Sequence, residues 1–262
     1  MDFSRVLVVD NGSGMMKAGY SGDDAPRAVF PTVVGRVKDG ITLPYSKPAY
    51  IGDEAVSKRE VLKLSYPIWR GSITNWDEME KIWHHSFYNE LAAAPEDHPL
   101  LLTSCPLNSK KSKEKMMEIA FETFTSQAVH IANQAVLSLY STGRTTGVVL
   151  ECGDGATFSG LVTEGNIVPQ GTFRLDVGGR DLTDWMMILL TETGYSFTTV
   201  AERALIQSVK ESFAFVSCQY QDDLKKSSTS FEKLYELPDG ELITASSERF
   251  RFNFLFLFFF LR

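Results

Sequence analysis

The stretch Val6-Leu-Val-Val-Asp-Asn-Gly-Ser-Gly14 is a short apolar run that ends in a carboxylate and a glycine-rich turn. After it, Met15-Met-Lys-Ala-Gly-Tyr20 resumes a loosely alternating pattern of apolar and polar residues. Runs of this kind on either side of a glycine turn are typical of two strands joined by a tight connection. The stretch therefore predicts a β-hairpin close to the amino terminus.

The same pattern occurs a second time in the middle of the chain. Gly147-Val-Val-Leu-Glu151 is followed by Cys152-Gly-Asp-Gly155, and Ala156-Thr-Phe-Ser-Gly-Leu-Val162 resumes the strand-like pattern. In both copies an apolar run ends in a carboxylate that is followed by x-Gly-x-Gly. A repeated supersecondary unit predicts two related halves that face each other.

The segments around the two hairpins alternate between helix-like and strand-like patterns, which favours an α/β fold. Residues 75–91, 110–124, 179–190 and 200–216 have apolar residues near helical spacing. Residues 235–244 predict a hairpin around Pro238-Asp-Gly240. We place the first half at residues 1–141, with 32–66 as its small subdomain, a partial second half at 142–251, and an apolar tail at 252–262.

Composition and charge limit the possible functions. The chain has 262 residues, 44% of them hydrophobic, and a formal net charge of -7, which disfavours direct binding to nucleic acid. Its three cysteines are widely spaced and suggest neither a disulfide framework nor a zinc site, so a reducing, intracellular compartment is expected. The amino terminus lacks the pattern of a secretory signal. The apolar tail is too short to span a bilayer as a helix.

The two glycine turns predict phosphate binding. A glycine turn exposes backbone N–H groups to a phosphate, Ser13 adds a hydroxyl donor, and Lys17 adds a positive charge. One such turn is most often only a turn, but two turns with identical spacing can hold a polyphosphate from both sides. Asp10, Glu151 and Asp154 are suited to a hydrated Mg²⁺. The pair of turns therefore predicts a nucleotide site.

Long ungapped stretches of this chain resemble actin. The resemblance extends from about Val6 to Phe250 and is carried by residues 9–31, 74–91, 134–140, 179–184 and 195–199. It implies the α/β fold of actin-like ATPases, a duplicated ribonuclease H-like fold with two halves around a nucleotide cleft, of which the second half is expected to be incomplete. It also implies ATP and Mg²⁺ (or Ca²⁺) as ligands.

The resemblance also assigns roles to residues by position. It places Asp10, Glu151 and Asp154 around the metal ion, and makes Gln134 and Asp154 catalytic, with Gln134 orienting the attacking water. The nucleotide-binding residues that it implies are Ser13, Gly14, Met15, Lys17, Gly153, Asp154, Gly155, Ala156, Gly179, Arg180, Lys210 and Glu211.

Simpler roles compete with these assignments. Gln134 could cap a helix or lie on the surface, and Arg180 could belong only to a helix start. Lys210 and Glu211 could form a solvated helix face. His84 and His85 favour packing around a Trp-rich helix over metal binding, because partner ligands are missing.

The chain departs from the actin pattern at three places that bear on activity. Glu151 stands where actin has an aspartate, and Phe158 stands where actin has a histidine that helps to polarise water, so slow or absent hydrolysis is expected. Residues 36–50 replace the mobile loop through which actin subunits contact each other, and this segment contains two prolines. Standard polymerisation is therefore not expected.

The chain is expected to be truncated, because the resemblance stops before the carboxy-terminal segments of actin. The apolar faces of an unfinished second half would then be exposed. The tail at 252–262 is expected to be foreign to the family and to add no native packing. The main interpretation is a cytoplasmic, cytoskeletal actin-like protein that binds Mg-ATP, with actin or actin-binding proteins as possible partners. Two alternatives are a non-enzymatic interaction protein and the inert product of a damaged gene; a sugar kinase of the same superfamily is a distant fourth.

Overall fold

The chain divides into two compact units, Met1–Asp176 and Val177–Arg262. The computed structural model describes residues 5–42, 45–226, 228–237, 240 and 242–251. The strands are β1 (Leu7–Asn11), β2 (Met15–Tyr20), β3 (Ala28–Pro31), β4 (Val34–Val37), β5 (Tyr50–Ile51), β6 (Leu62–Ser65), β7 (Ile68–Trp69), β8 (Ser72–Ile73), β9 (Leu100–Ser104), β10 (Val129–Asn133), β11 (Gly147–Cys152), β12 (Thr157–Thr163), β13 (Asn166–Leu175), β14 (Lys233–Glu236) and β15 (Leu242–Ala245). The helices are α1 (Asp53–Ser57), α2 (Trp76–His84), α3 (Lys110–Glu122), α4 (Gln134–Tyr140), α5 (Gly179–Glu192), α6 (Val200–Phe213) and α7 (Tyr220–Lys225), with a π-helical turn at His85–Glu90 and 3-10 turns at Pro95–Asp97 and Ser228–Ser230.

The first unit is built on a five-stranded sheet in the order β10-β9-β1-β2-β3. β1, β2 and β3 form an antiparallel meander, and β9 and β10 add to the outer edge of β1 in parallel. Leu7 and Val9 alternate with less buried residues along β1 and are fully buried. This alternation places one face of the strand in the core, where α2 contributes Trp83, the π-helical turn Phe87 and α3 Met116.

Helix α2 has a clear start signal. The Asn75 side chain accepts a hydrogen bond of 3.1 Å from the backbone N–H of Glu78, which satisfies one of the unpaired donors of the first turn. Met79, Ile82 and Trp83 recur at helical spacing and are buried. The helix therefore packs one apolar face against the sheet, and its last residues continue into the π-helical turn.

A small sheet in the order β5-β4-β6 packs with α1 around Val33, Tyr50, Ala55 and Leu62. This sheet lies within the predicted small subdomain at residues 32–66. It is tied to α2 through one carboxylate that is only 2% exposed, because Glu78 accepts from Arg36 of β4 and, at 2.5 Å, from Ser65 of β6.

The second hairpin belongs to a separate sheet in the order β11-β12-β13. Helix α4 covers one face of it, where Ala135 and Leu139 meet Phe158 and Val162. On β11, residues 148, 150 and 152 are exposed, whereas 147, 149 and 151 are partly buried. The sheet therefore has one packed face and one face in contact with solvent.

The second unit contains α5, α6, α7 and the hairpin of β14 and β15. Its core is formed by Met186, Leu190, Ile206, Val209 and Ile243, among others. Helix α6 begins with a capping box in which Thr199 accepts from the backbone of Glu202 and the Glu202 side chain accepts from the backbone of Thr199.

The predicted elements agree with the structure in kind, with differences at their ends. The helix expected over 200–216 ends at Phe213, because Ala214 already has an extended backbone (φ -68°, ψ 146°). The hairpin expected over 235–244 is confirmed, although residues 238 and 239 of its turn lie outside the described residues. The compact units divide after Asp176, while the proposed boundary between related halves at 141/142 stays a prediction.

Replacing Asn11 should destabilise the first unit. Its Nδ2 donates to the carbonyl of Thr103 at 2.9 Å, and its Oδ1 accepts from the Trp83 indole N–H at 2.9 Å. Asn11→Ala leaves both buried groups without this partner, which should lower the free energy of unfolding by about 2 kcal/mol or more. Urea unfolding measures this effect.

The matched control is Asn89→Ala, which makes the same change at an exposed position and should alter the free energy of unfolding by less than about 0.5 kcal/mol. Equal effects of the two substitutions would contradict a structural role for the Asn11 hydrogen bonds.

Candidate functional site

The two glycine hairpins have the same register. In the first, Asp10 pairs with Lys17, and in the second, Glu151 pairs with Phe158. The next pairs are the last before each turn, and both turns contain four residues, at 12–15 and 153–156. The repeat predicted from the sequence is therefore a repeat of backbone pairing as well as of residue type.

The two turns lie directly against each other. A Cβ atom at Gly14 would lie 2.9 Å from the Cβ of Asp154, and one at Gly155 would lie 2.5 Å from the Oγ of Ser13. Side-chain atoms do not approach this closely, so both positions require glycine for the turns to meet. Of the other predicted turn residues, Met15 and Gly153 are exposed and Ala156 is buried.

A third element, the tip of the β7–β8 hairpin, joins the two turns. The backbone N–H of Gly71 donates to Ser13 Oγ at 2.9 Å, and Arg70 Nη1 donates to the carbonyl of Gly155 at 3.4 Å. Arg70 has a positive φ of 52°, and its own carbonyl accepts from Arg174 Nη2. This tip therefore helps to fix the distance between the turns, and sequence reasoning missed it.

Asp10 is the centre of a hydrogen-bond network at the end of β1. Lys17 Nζ lies 3.0 Å from Asp10 Oδ2, while Asp10 Oδ1 accepts from Thr103 Oγ1 at 2.6 Å and from Gln134 Nε2 at 3.0 Å. Burial alone raises the pKa of Asp10, but the Thr103 hydrogen bond and the positive charge of Lys17 outweigh it and hold the pKa below its usual value. Asp10 is therefore ionised at neutral pH.

Glu151 occupies the matching position of the second hairpin but has the opposite electrostatic character. Its Oε1 accepts from the hydroxyl of Ser138 on α4. Burial raises the pKa of Glu151, the Ser138 hydrogen bond lowers it, and the negative charge of Asp10 raises it further, so the net shift is upward. A bound cation would relieve this unfavourable charge.

The donor set fits a hydrated divalent cation. Carboxylate oxygens are the ligands that Mg²⁺ prefers, and Mg²⁺ usually keeps several waters and shares its coordination with phosphate oxygens. Within the described ranges, no three His, Cys, Asp or Glu side chains converge closely enough to hold a metal ion by themselves. Among the described residues, Asp10, Glu151 and Asp154 thus do not form a cage of protein ligands alone, and the hydrated ion expected there stays a prediction.

A comparison with protein families matches residues 1–258 to the model described as Actin. The chain belongs to the actin family. The predicted resemblance and the predicted actin-like α/β fold are thereby confirmed. The match includes part of the tail at 252–262, which lies outside the described residues, so the foreign origin of that tail stays a prediction.

Gln134 of this actin-family chain does not have the capping role that was its simpler interpretation. The cap of α4 is Asn133, whose side chain accepts from the backbone N–H of Ala135 at 3.0 Å. The Gln134 amide instead donates to Asp10 and, at 3.3 Å, to Thr103. It lies within hydrogen-bond reach of the carboxylate network.

Phe158 is buried in this actin-family chain, with only 6% of its surface exposed. It shares an apolar cluster with Cys105, Ala135 and Leu139. The same surroundings raise the pKa of the Cys105 thiol to about 11, chiefly through burial. The Glu151 carboxylate therefore has apolar neighbours on its face of the sheet.

Four of the predicted nucleotide residues lie in the second unit. Lys210 Nζ donates to the carbonyl of Gly179 at 2.8 Å and to Thr183 Oγ1 at 2.9 Å, so it joins α6 to the start of α5. Arg180 is buried in the first turn of α5, and Glu211 is exposed and accepts from Gln207 at 2.9 Å. The Lys210 ammonium group is thus engaged by α5, whereas Glu211 lies on the exposed face of α6.

The paired histidines have packing contacts, in line with their simpler interpretation. The His84 ring lies 4.6 Å from the Tyr88 ring, and His85 meets Phe30 edge-on at 5.2 Å. His85 Nε2 also lies 3.1 Å from Glu90.

None of the helices in the described part of the chain combines the length and apolar character that a membrane span needs.

Glu151→Gln should stabilise the ligand-free chain at neutral pH. In the unfolded chain the Glu151 carboxyl titrates near pH ~4.3. Because its folded pKa is raised, its ionisation favours the unfolded state as pH rises through this range and above it. Glutamine keeps an acceptor for Ser138 without the charge. Urea unfolding with a chelator should show higher stability than wild type near neutral pH and little difference near pH ~3.5.

Glu122→Gln is the matched control, because Glu122 is exposed at the end of α3. It should leave the free energy of unfolding almost unchanged at both pH values. If Glu151→Gln lowered stability at neutral pH instead, the surroundings of Glu151 would favour its charged form, against the electrostatic picture given above.

Proposed function

We propose that this chain binds Mg-ATP against its two contacting glycine turns and hydrolyses it slowly or not at all. The observation that carries the proposal is the mutual contact of the turns, in which Gly14 lies against Asp154 and Gly155 lies against Ser13. Turns that meet in this way present backbone donors to one polyphosphate from two sides. Actin-family domains generally bind a nucleotide with a divalent cation, which agrees with this proposal.

Five side chains of the first unit have distinct roles in the proposed complex. Ser13 and Lys17 would bind phosphate oxygens, because one supplies a hydroxyl donor and the other a positive charge. Asp10, Glu151 and Asp154 would hold hydrated Mg²⁺, which neutralises phosphate charge when it is bound. The ion pair of Lys17 with Asp10 keeps the ammonium group close to the turns before any ligand arrives.

Four residues of the second unit enter the proposal only through the actin pattern. Gly179, Arg180 and Lys210 lie together at the contact between α5 and α6, and Glu211 follows on α6. We assign them to the ribose and adenine on the basis of the actin pattern. Loss of base selectivity without loss of triphosphate binding on their replacement would support this division of roles.

The proposed hydrolysis is weak because Phe158 stands where actin has a histidine that helps to polarise water. The Nε2 of Gln134 is engaged by Asp10 and Thr103, so its Oε1 is the atom that would orient a water molecule. Phe158, beside Glu151 in the sheet, has no donor or acceptor in its side chain. Glu151 also extends the carboxylate by one methylene relative to the aspartate of actin, and Mg²⁺ tolerates little geometric error.

We also propose an altered assembly behaviour and the cellular setting of the family. The connection from β4 to β5 contains Pro44 and Pro48, and residues 43 and 44 lie outside the described residues. Actin-family proteins are generally cytoskeletal and cytoplasmic, so actin or actin-binding proteins are the proposed partners. We also propose that the chain polymerises poorly, because the β4–β5 connection replaces the loop through which actin subunits contact each other.

Asp154→Ala should weaken Mg-ATP binding at least about 10-fold, because it removes a carboxylate from the metal shell and from the contact between the turns. Isothermal titration of the folded variant measures the dissociation constant. Asp24→Ala, the same change at an exposed position, serves as the control and should bind like wild type. Unchanged affinity in Asp154→Ala would overturn the nucleotide proposal and favour a non-enzymatic interaction protein.

Phe158→His should raise the rate of phosphate release, since a missing positioning or acid–base group typically lowers such a rate by about 10²-fold or more. The buried position predicts some loss of stability for an imidazole, so thermal unfolding accompanies the assay. Phe158→Leu is the control that disturbs packing without adding a polar group, and its rate should stay at the wild-type level. An actin-like rate in the unmodified chain would contradict slow hydrolysis.

A further inference from the structure

Three strand ends of the first sheet meet at the carboxylate network. β1, β9 and β10 run parallel to one another, so their carboxyl ends lie at the same edge of the sheet. Asp10 lies near the end of β1, Thr103 lies near the end of β9, and Gln134 directly follows β10. Open α/β sheets usually bind ligands at the carboxyl ends of parallel strands. The sheet therefore brings a carboxylate, a hydroxyl group and an amide together at one edge.

The hydroxyl group of Thr103 uses its full hydrogen-bonding capacity in this network. Thr103 is buried, with 3% of its surface exposed. Its Oγ1 donates to Asp10 Oδ1 at 2.6 Å, and it accepts from the backbone N–H of Asn11 at 2.9 Å and from Gln134 Nε2 at 3.3 Å. A hydroxyl group has one hydrogen atom and two lone pairs, so these three hydrogen bonds leave neither a donor nor an acceptor unused.

The direction of these hydrogen bonds is fixed by two partners that cannot exchange roles. A backbone N–H group can only donate, and an ionised carboxylate can only accept. The hydrogen atom of the Thr103 hydroxyl group must therefore point to Asp10, which leaves one lone pair for Gln134. Thr103 and Asp10 then both offer only acceptors to the Gln134 side chain. The NH2 group of that side chain must face them.

The same contacts disfavour the reversed orientation of the amide. Reversal would place Gln134 Oε1 where Nε2 now lies, 3.0 Å from Asp10 Oδ1, with no hydrogen atom between the two oxygens. Two acceptors in contact lose their hydrogen bond and repel each other. Among the described residues, none donates a hydrogen bond to Gln134 Oε1. This oxygen therefore stays available to a ligand that carries a donor.

We propose that Thr103 is a positioning residue that fixes the orientation of the Gln134 amide and leaves Oε1 to accept from water. Its hydroxyl group acts through Gln134 and does not itself touch the nucleotide. The orientation follows from contacts of the ligand-free chain, whereas its consequence for hydrolysis rests on the proposed function. Gln134 held in this way binds an O–H donor such as water at Oε1, and not an ionised phosphate oxygen, which has no hydrogen atom to donate.

Nuclear magnetic resonance of the ligand-free full chain, labelled with 15N in its glutamine side chains, tests the orientation. Gln134→Ala identifies the side-chain amide signal of Gln134 by its loss. Thr103→Val removes the hydroxyl group with little change in shape. The Gln134 amide protons should then exchange with solvent about 5-fold faster or more, as expected for the loss of one hydrogen bond. Thr103→Ser keeps the hydroxyl group and should restore the exchange rate of wild type.

Thr163→Val is the matched control, because it makes the same change at an exposed position of a strand. It should leave the exchange of the Gln134 amide unchanged. Urea unfolding confirms that each variant is folded, and Thr103→Cys, whose thiol is a weak donor and acceptor, replaces Thr103→Val if the latter does not fold. The proposal is overturned if the folded variant has the amide exchange of wild type, or if Thr103→Ser exchanges as fast as that variant.

A double-mutant cycle tests the consequence for hydrolysis. At saturating Mg-ATP, Thr103→Val should lower the rate of phosphate release about 10-fold or more, measured in the Phe158→His chain if the wild-type rate is too low. If Thr103 acts through Gln134, the same change made in Gln134→Ala should have little further effect. Fully additive effects would show a separate role of Thr103 and would reject its assignment as a positioning residue.

Failure of this proposal and failure of the nucleotide site give different results. A chain that does not bind Mg-ATP overturns the proposed function, while the amide exchange of Gln134 still decides the role of Thr103 without any ligand. Normal binding of Mg-ATP together with unchanged amide exchange in Thr103→Val overturns the role of Thr103 alone.

Discussion

The close contact between the two glycine turns is the constraint on which the rest of the site depends. Neither Gly14 nor Gly155 has room for a Cβ atom, because each lies against a side chain of the opposite turn. Their contact sets the relative positions of β1 and β11, and hence of the carboxylates two residues before each turn. The β7–β8 tip reinforces the contact through Gly71 and Arg70. A rigid cradle built from backbone is suited to a ligand that offers many acceptors and little shape.

The two hairpins share a backbone but have diverged in charge. Position for position, Lys17 of the first corresponds to Phe158 of the second, since they pair with Asp10 and Glu151 respectively. The Thr103 hydrogen bond and the Lys17 charge lower the pKa of Asp10, whereas burial raises the pKa of Glu151, which lies beside an apolar ring. The candidate site is therefore asymmetric. The negative charge of Asp10 is stabilised by its neighbours, whereas the negative charge of Glu151 is not and would be stabilised by a bound cation.

Sequence reasoning found the parts of the site that depend on local patterns. Both hairpins and the carboxylates before the turns follow from apolar runs and glycine spacing over about ten residues. Thr103 lies 93 positions from Asp10 and Ser138 lies 13 positions from Glu151. Pairing of β1 with β9 and packing of α4 on the second sheet bring these hydroxyl groups to the carboxylates. Arg70 could not be found by pattern, because its role depends on a positive φ at a hairpin tip. The helix predicted over 200–216 is too long because apolar residues continue past the point where the backbone becomes extended.

Helix α2 has a mechanical consequence through its two buried polar contacts. Glu78 holds the small sheet through Arg36 and Ser65, and Trp83 holds Asn11 beside the first glycine turn. These two residues lie five positions apart on one helix, or about 7.5 Å along its axis. The helix is thus a short rigid element with one buried polar contact near each end. A displacement of the small sheet would therefore move α2 as a rigid body and shift Asn11 beside the first glycine turn. A displacement of the turn would move the small sheet through the same hydrogen bonds.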